Sequence, residues 1–254
     1  MTTETTASPA GMVSPTQAPY PAHLSGEFDP QLSRGLWLVK WLLAIPHYIL
    51  LAFLWVGFVV ATVIAGFAIL FTGRYPRPLF DFNVGVLRWS WRVGFYAYAA
   101  LGTDRYPPFT LARTDYPADF EVDYPEHLSR GLVLVKSWLL AIPHLIIVSL
   151  FTANLPFWWT TRDDMATAYQ SSAGISLIGL LALVAGFFLL VTRQYPRALF
   201  DLIMGINRWV YRVLAYVALM RDEYPPFNLD QGQRDGEEVM PVAPAAPQPL
   251  GTPA

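Results

Sequence analysis

Leu32-Ser33-Arg34-Gly35, Ala44-Ile45-Pro46-His47, Arg74-Tyr75-Pro76-Arg77 and Tyr106-Pro107-Pro108-Phe109 decide how this chain is read, because all four motifs come round again. They return as Leu128-Ser129-Arg130-Gly131, Ala141-Ile142-Pro143-His144, Gln194-Tyr195-Pro196-Arg197 and Tyr224-Pro225-Pro226-Phe227. The shared order and rough spacing identify a tandem duplication. The copies are assigned to residues 20–115 and 116–229. Residues 1–19 are polar and proline-bearing, and residues 230–254 are acidic and then Ala/Pro-rich, so both read as disordered tails.

Between the motifs the chain is apolar. Hydrophobic residues make up 54% of it and charged residues 14%, against roughly 25% charged in soluble domains. Three runs carry no charge: Trp41 to Gly73, Ser137 to Thr161 and Met165 to Thr192, of 33, 25 and 28 residues. A membrane-spanning helix needs about 20 apolar residues, so each is long enough. The expectation is an all-α integral membrane protein. With no cysteine in the sequence, disulfides, thiolate metal sites and a cysteine nucleophile are excluded. A net charge of -2 offers nothing to nucleic acid.

Charge placement then sets the expected topology. If each apolar region folds as a transmembrane hairpin of two helices, sixteen of the seventeen basic residues share one side and only Arg162 lies on the other. The positive-inside rule makes that side the cytoplasm, with four spans and both termini inside the plasma membrane. In the second copy one helix is expected from about Leu132 to Phe157 or Trp158, a polar loop over Thr160 to Ser172, and a return from Gly174 to Thr192. In the first, the hairpin would turn near Trp55-Val56-Gly57, with Lys40 snorkelling to the interface. The rival is an in-plane helix up to Ile45 followed by one span from His47 to Phe71; it puts Arg34 and Arg74 on opposite faces, against the charge bias. Pro46 and Pro143 should kink the first helix of each copy at the same depth.

After each hairpin comes a long amphipathic helix, roughly Leu79 to Leu101 and Leu199 to Met220. Asp81, Gly85, Arg88 and Arg92 recur as Asp201, Gly205, Arg208 and Arg212, and steps of 4, 3 and 4 put them on one face. Arginines at the centre of a span are costly, so these helices are expected at the cytoplasmic interface, with their tryptophans and tyrosines at headgroup level. The arginines would meet lipid phosphate, or Asp81 and Asp201 across the repeats; the sharper reading is a charged groove for an anion, a headgroup or a protein. His47 and His144, each beside a proline that frees a backbone carbonyl, are the candidates for intramembrane chemistry such as a proton relay. The plainer reading is a neutral imidazole bonded to that carbonyl or to a neighbouring helix. Two histidines without carboxylate neighbours do not make a metal site. Ser33 and Ser129 read as helix N-caps. Phe120-Glu121-Val122-Asp123 alternates as a short strand does, and could pair with Phe109-Thr110-Leu111 in a small cytoplasmic β element.

The chain resembles an uncharacterised bacterial membrane family, the domain of unknown function 4389. The resemblance rests on Leu128-Ser129-Arg130-Gly131 through His144, on Arg74-Tyr75-Pro76-Arg77 through Arg88-Trp89 and Arg92, and on Tyr106-Pro107-Pro108-Phe109. It implies membrane topology and duplication across Tyr20 to Leu229, and no catalytic residue. Gln194, where the first copy has Arg74, departs from the pattern, as does the longer acidic outer loop of the second copy.

No phosphate loop, dinucleotide fingerprint or hydrolase triad occurs, so no enzyme activity and no cofactor is expected. What remains is a multi-pass structural or partner-binding component whose partners are the bilayer and a protein or a second copy. The alternatives are a small channel or transporter using the paired Pro-His kinks, and a protein binding anionic lipid headgroups.

Overall fold

The computed structural model describes residues 20–152 and 176–230. Within them the chain is mostly helical, with one two-stranded sheet. The expected tails apart from Asp230, and the polar loop over Thr160 to Ser172, lie outside the described residues; Asp230, placed in the tail by the sequence, is ordered against α7.

The first copy runs from strand β1 (Ala22–Gly26) to a short helix α1 (Trp37–Leu43), a long helix α2 (Ile45–Thr72) and a helix α3 (Arg77–Ala97). The second runs from β2 (Ala118–Val122) to α4 (Arg130–Val135), a π-helical turn (Lys136–Leu140), α5 (Ile142–Thr152), α6 (Leu177–Thr192) and α7 (Arg197–Val217). Both prolines mark a helix interruption. Ala44 and Ala141, with ψ of -9° and -14°, separate the preceding turn from α2 and α5, and Pro46 and Pro143 fall in the first turn of the new helix. There the missing proline N–H costs nothing, since first-turn donors have no helical partner.

The hairpin expected in the first copy does not form. Helix α2 passes without a break through Trp55-Val56-Gly57 and stops only at Gly73, whose φ of 72° suits a glycine cap and whose N–H closes on the Ile69 carbonyl. It is the one helix among the described residues that is long and apolar enough to cross a membrane. The hairpin was inferred because a helix filling the whole uncharged run is too long for a bilayer. The run is shortened instead at Ala44, and the inner face of α2 is used along its length by α3.

In the second copy the corresponding stretch comprises α5 and α6, and the residues between them, where the expected turn falls, lie outside the described residues. From Pro143 to Tyr195 is 23 residues longer than from Pro46 to Tyr75. His144 on α5 meets Trp209 as His47 on α2 meets Trp89. Gly186 on α6 abuts Trp37 as Gly66 on α2 abuts Val133. Helices α5 and α6 thus hold the places of the first and last halves of α2.

Helices α3 and α7 are not interfacial; they are the core. Every residue from Asn83 to Ala97 and from Ile203 to Val210 is buried. The two run antiparallel: Tyr195 Oη, before α7, donates to the Ala100 carbonyl after α3, and Tyr75 Oη, before α3, lies 3.5 Å from the Ala218 carbonyl after α7. Their arginines looked too expensive to bury because the partners come from distant segments. On one side of this pair lies α2 with α5 and α6; on the other lies the sheet.

The strand at Phe120 exists, but its partner is β1, not Phe109-Thr110-Leu111. The strands pair antiparallel with Leu24 opposite Phe120. Ala22, Leu24 and Gly26 alternate inward with Ala118, Phe120 and Val122. The strands are also exchanged. First-copy β1 packs on α7, where Met204 lies against Gly26, while second-copy β2 packs on α3.

Candidate functional site

The arginine face is closed by the sheet and the loops that follow each core helix. Arg88 Nε lies 2.9 Å from Asp119 Oδ1, and Arg92 Nη2 lies 3.3 Å from the same oxygen. Arg88 also donates to the Leu111 carbonyl, and Arg92 to the carbonyls of Ala112 and Ala118. In the second copy Arg208 donates to the carbonyls of Leu24 and Asp230, and Arg212 pairs with the Asp230 carboxylate at 2.6 Å. The expected exchange with Asp81 and Asp201 is therefore replaced, for the arginines, by Asp119 and Asp230. Asp81 contributes only at longer range to Arg88, behind Asp119. Burial lowers the affinity of the Arg88 and Arg92 guanidinium groups for their proton, and Asp119 opposes it. Gly85 belongs to the same face for a steric reason. A Cβ there would stand 2.8 Å from Leu111 Cβ and 3.2 Å from the Leu111 oxygen, so glycine lets that carbonyl reach Arg88.

His47 and His144 are each shut in an aromatic box of their own copy. Trp89 donates its indole N–H to His47 Nδ1 at 3.0 Å; the His47 ring stacks on Phe109 at 3.9 Å, with Tyr106 at 5.0 Å. Trp209 donates to His144 Nδ1 at 3.3 Å, with Phe227 stacked at 4.2 Å and Tyr224 at 4.6 Å. An acceptor Nδ1 places the proton of a neutral ring on Nε2. Both imidazoles are fully buried, and the boxes share no residue. The Pro-His and Tyr-Pro-Pro-Phe motifs are thus two parts of one unit, joined by the tryptophan that follows the first arginine.

A third repeated device was missed. Lys40 does not snorkel; it is 1% exposed, and its ammonium donates to the Thr103 carbonyl and sits 2.8 Å from Asp104. Asp104 Oδ2 accepts from the Ser33 backbone N–H. Lys136 repeats this with the Arg221 carbonyl and Asp222, which accepts from Ser129 N–H. The Ser129 side chain makes no cap bond: the chain end is held by a carboxylate from beyond the core helix. The available signal was a lysine in both first helices and an aspartate before both Tyr-Pro-Pro-Phe segments.

A cavity of about 460 Å³ lies on the α2 side, with Tyr48, Trp55, Ser90, Asn207 and Tyr211 among its walls. A cleft of about 470 Å³ beside the sheet joins Asp81, Arg88, Arg113 and Glu121. Among the described residues no group of three or more His, Asp or Glu could hold a metal ion.

A family model described as a domain of unknown function, DUF4389, matches residues 34–110 and 170–228. The chain belongs to the DUF4389 family. One matched segment falls in each copy, as a tandem duplication requires. The first DUF4389 segment contains a whole aromatic box, His47, Trp89 and Phe109. The second contains Trp209 and Phe227, while His144 lies outside it. No curated protein matches the chain, and no solved structure does.

Proposed function

We propose that this DUF4389 protein is a structural, partner-binding component of the plasma membrane. Its α2, α5 and α6 side sits in lipid and its sheet side faces the cytoplasm. The observation that carries the reading is the division of α2 into two faces. His47, Leu51, Phe58, Ala65 and Ile69 are buried inward, while Phe53, Val56, Val60, Val63, Phe67 and Phe71 stand more than half exposed along the other side. Leu183, Phe187 and Val191 extend this surface on α6. A contiguous apolar surface of this extent is foreign to a monomer in water.

The unbroken α2 removes the hairpin of the first copy from the count of spans, and with it the basis for a four-span arrangement. Transport through paired Pro-His kinks has no support either, since the two imidazoles are enclosed separately. Structural repetition in which the lysines and arginines of the core are spent on pairing within the fold favours a scaffold. Replacing Phe53 and Phe67 together with Asp should release the protein from alkaline-washed membranes, or prevent its accumulation there; retention equal to wild type would sink the membrane reading. Pull-down from native membranes in mild detergent, followed by mass spectrometry, should recover a stoichiometric protein partner. Recovery of a monodisperse homo-oligomer alone would remove the partner-binding half.

A further inference from the structure

We infer that the apolar layer lies flat in a single leaflet, with α2 along the membrane plane, rather than crossing the bilayer. This rests on the membrane reading above and adds an orientation to it. Ser90 on α3 accepts from Trp55, near the middle of α2, and Arg88, two residues away, meets Asp119. The sheet side therefore sits beside the middle of α2, on the far face of α3. There Arg113 pairs with Glu121, and both side chains are about half exposed. An upright α2 would carry these charges to the bilayer centre and turn them toward lipid, where charged side chains are strongly disfavoured. A flat α2 keeps them in water and presses Phe53, Val60, Phe67 and Phe71 into the leaflet.

The charge at the edges agrees. Exposed arginines stand at both ends of the layer, Arg34, Arg193 and Arg197 at one and Arg74, Arg77 and Arg130 at the other. Arg34 donates to the Leu190 carbonyl at the end of α6, and Arg130 lies beside Gly73 at the end of α2. Because α2 and α6 point opposite ways, an upright layer would divide these arginines between the two sides of the membrane. A flat layer places all six at one headgroup level, where phosphates meet them.

The chain has no cysteine, so single-cysteine variants report position directly. His127→Cys marks one end, Gln194→Cys the other, Glu121→Cys the sheet and Phe53→Cys the apolar face. With a membrane-impermeant maleimide, the first three should react in inside-out vesicles and none in intact cells. Phe53→Cys should react only with a lipid-phase reagent. Reaction of His127→Cys and Gln194→Cys from opposite sides would overturn the flat orientation while leaving membrane residence intact. Aqueous reaction of Phe53→Cys in protein that does not sediment with membranes would overturn the membrane reading itself. Protection of Phe53→Cys from the lipid-phase reagent, with a disulfide forming between copies, would assign the layer to a second copy. Gln31→Cys and Glu126→Cys replace the end markers if a variant fails to accumulate.

Discussion

The indole N–H of Trp89 on α3 donates to Nδ1 of His47 across 3.0 Å, joining two residues 42 apart in sequence, one near the start of α2 and the other beyond its end. That bond fixes the imidazole orientation, and Phe109 covers the ring face at 3.9 Å. The pair has a counterpart in Trp209 and His144, so the same structural unit can be perturbed twice in one molecule.

Trp89→Phe should leave a buried acceptor without a donor, at about 1–3 kcal/mol. Trp209→Phe should cost a similar amount. Because the boxes share no residue, the double variant should show the sum to within about 0.5 kcal/mol. Thermal unfolding in micelles measures this; a double variant no less stable than the singles would couple the boxes and refute their independence.

Asp104 should govern part of the acid sensitivity. Burial pushes its carboxyl up, but the Lys40 ammonium and the Ser33 N–H outweigh burial and hold it below the ordinary aspartate value. Burial in turn lowers the Lys40 value, with Asp104 opposing. A carboxylate whose folded pKa lies below its unfolded one stabilises fully above the unfolded value, about 3.9. That contribution disappears as pH falls through the lower folded value. Asp104→Asn should therefore lose about 2–3 kcal/mol at neutral pH, the cost of leaving a buried ammonium unpaired, reduced for partial solvent access. It should also lose less than wild type on acidification. Urea titrations from neutral to about pH 3 compare the two slopes.

Gly85→Ala tests the approach of the Leu111 carbonyl to Arg88. The added methyl must displace backbone as well as side chain, a cost of about 1–3 kcal/mol. Loosening should concentrate at residues 109–113, seen as faster amide exchange there than elsewhere. Uniform exchange with unchanged stability would remove the steric reason for this glycine.

The duplication, the core helices and the strand at Phe120 were legible because each rests on local periodicity or on a repeated motif. The strand's partner was legible in principle. Tyr20-Pro21-Ala22 and Tyr116-Pro117-Ala118 open both copies, so a strand after one implies a strand after the other. The first-copy hairpin failed because charge counting locates chain ends and is blind to what packs on a helix between them. The fate of the arginines was hidden for a different reason. Arg88 and Arg92 are 31 and 27 residues from Asp119, Arg212 is 18 from Asp230, and Asp230 falls in the stretch whose composition reads as a disordered tail. Helical spacing reveals a shared face but not the loop that will cover it.

Strand exchange makes the strongest demand on the whole molecule. β1 belongs to the first copy by sequence and lies on α7; Leu24 gives its carbonyl to Arg208, and Ser25 gives its carbonyl to Trp91. β2 belongs to the second copy and lies on α3, where Ala118 and Asp119 hold Arg92. The first copy alone would leave Arg88 and Arg92 without Asp119, the second would leave Arg208 without the Leu24 carbonyl, and each would carry an unpaired strand edge, all unfavourable. Residues 1–115 and 116–254, produced separately, should aggregate or be degraded. Produced together, they should co-purify as a 1:1 complex, since the cut after Asp115 falls in an exposed turn and leaves both strands whole. Asp119→Ala in the second fragment should weaken that complex more than Asp115→Ala in the first, because Asp119 serves two buried arginines and Asp115 only the exposed Arg105. Stable, monodisperse accumulation of either half on its own would show that the exchanged strands are dispensable.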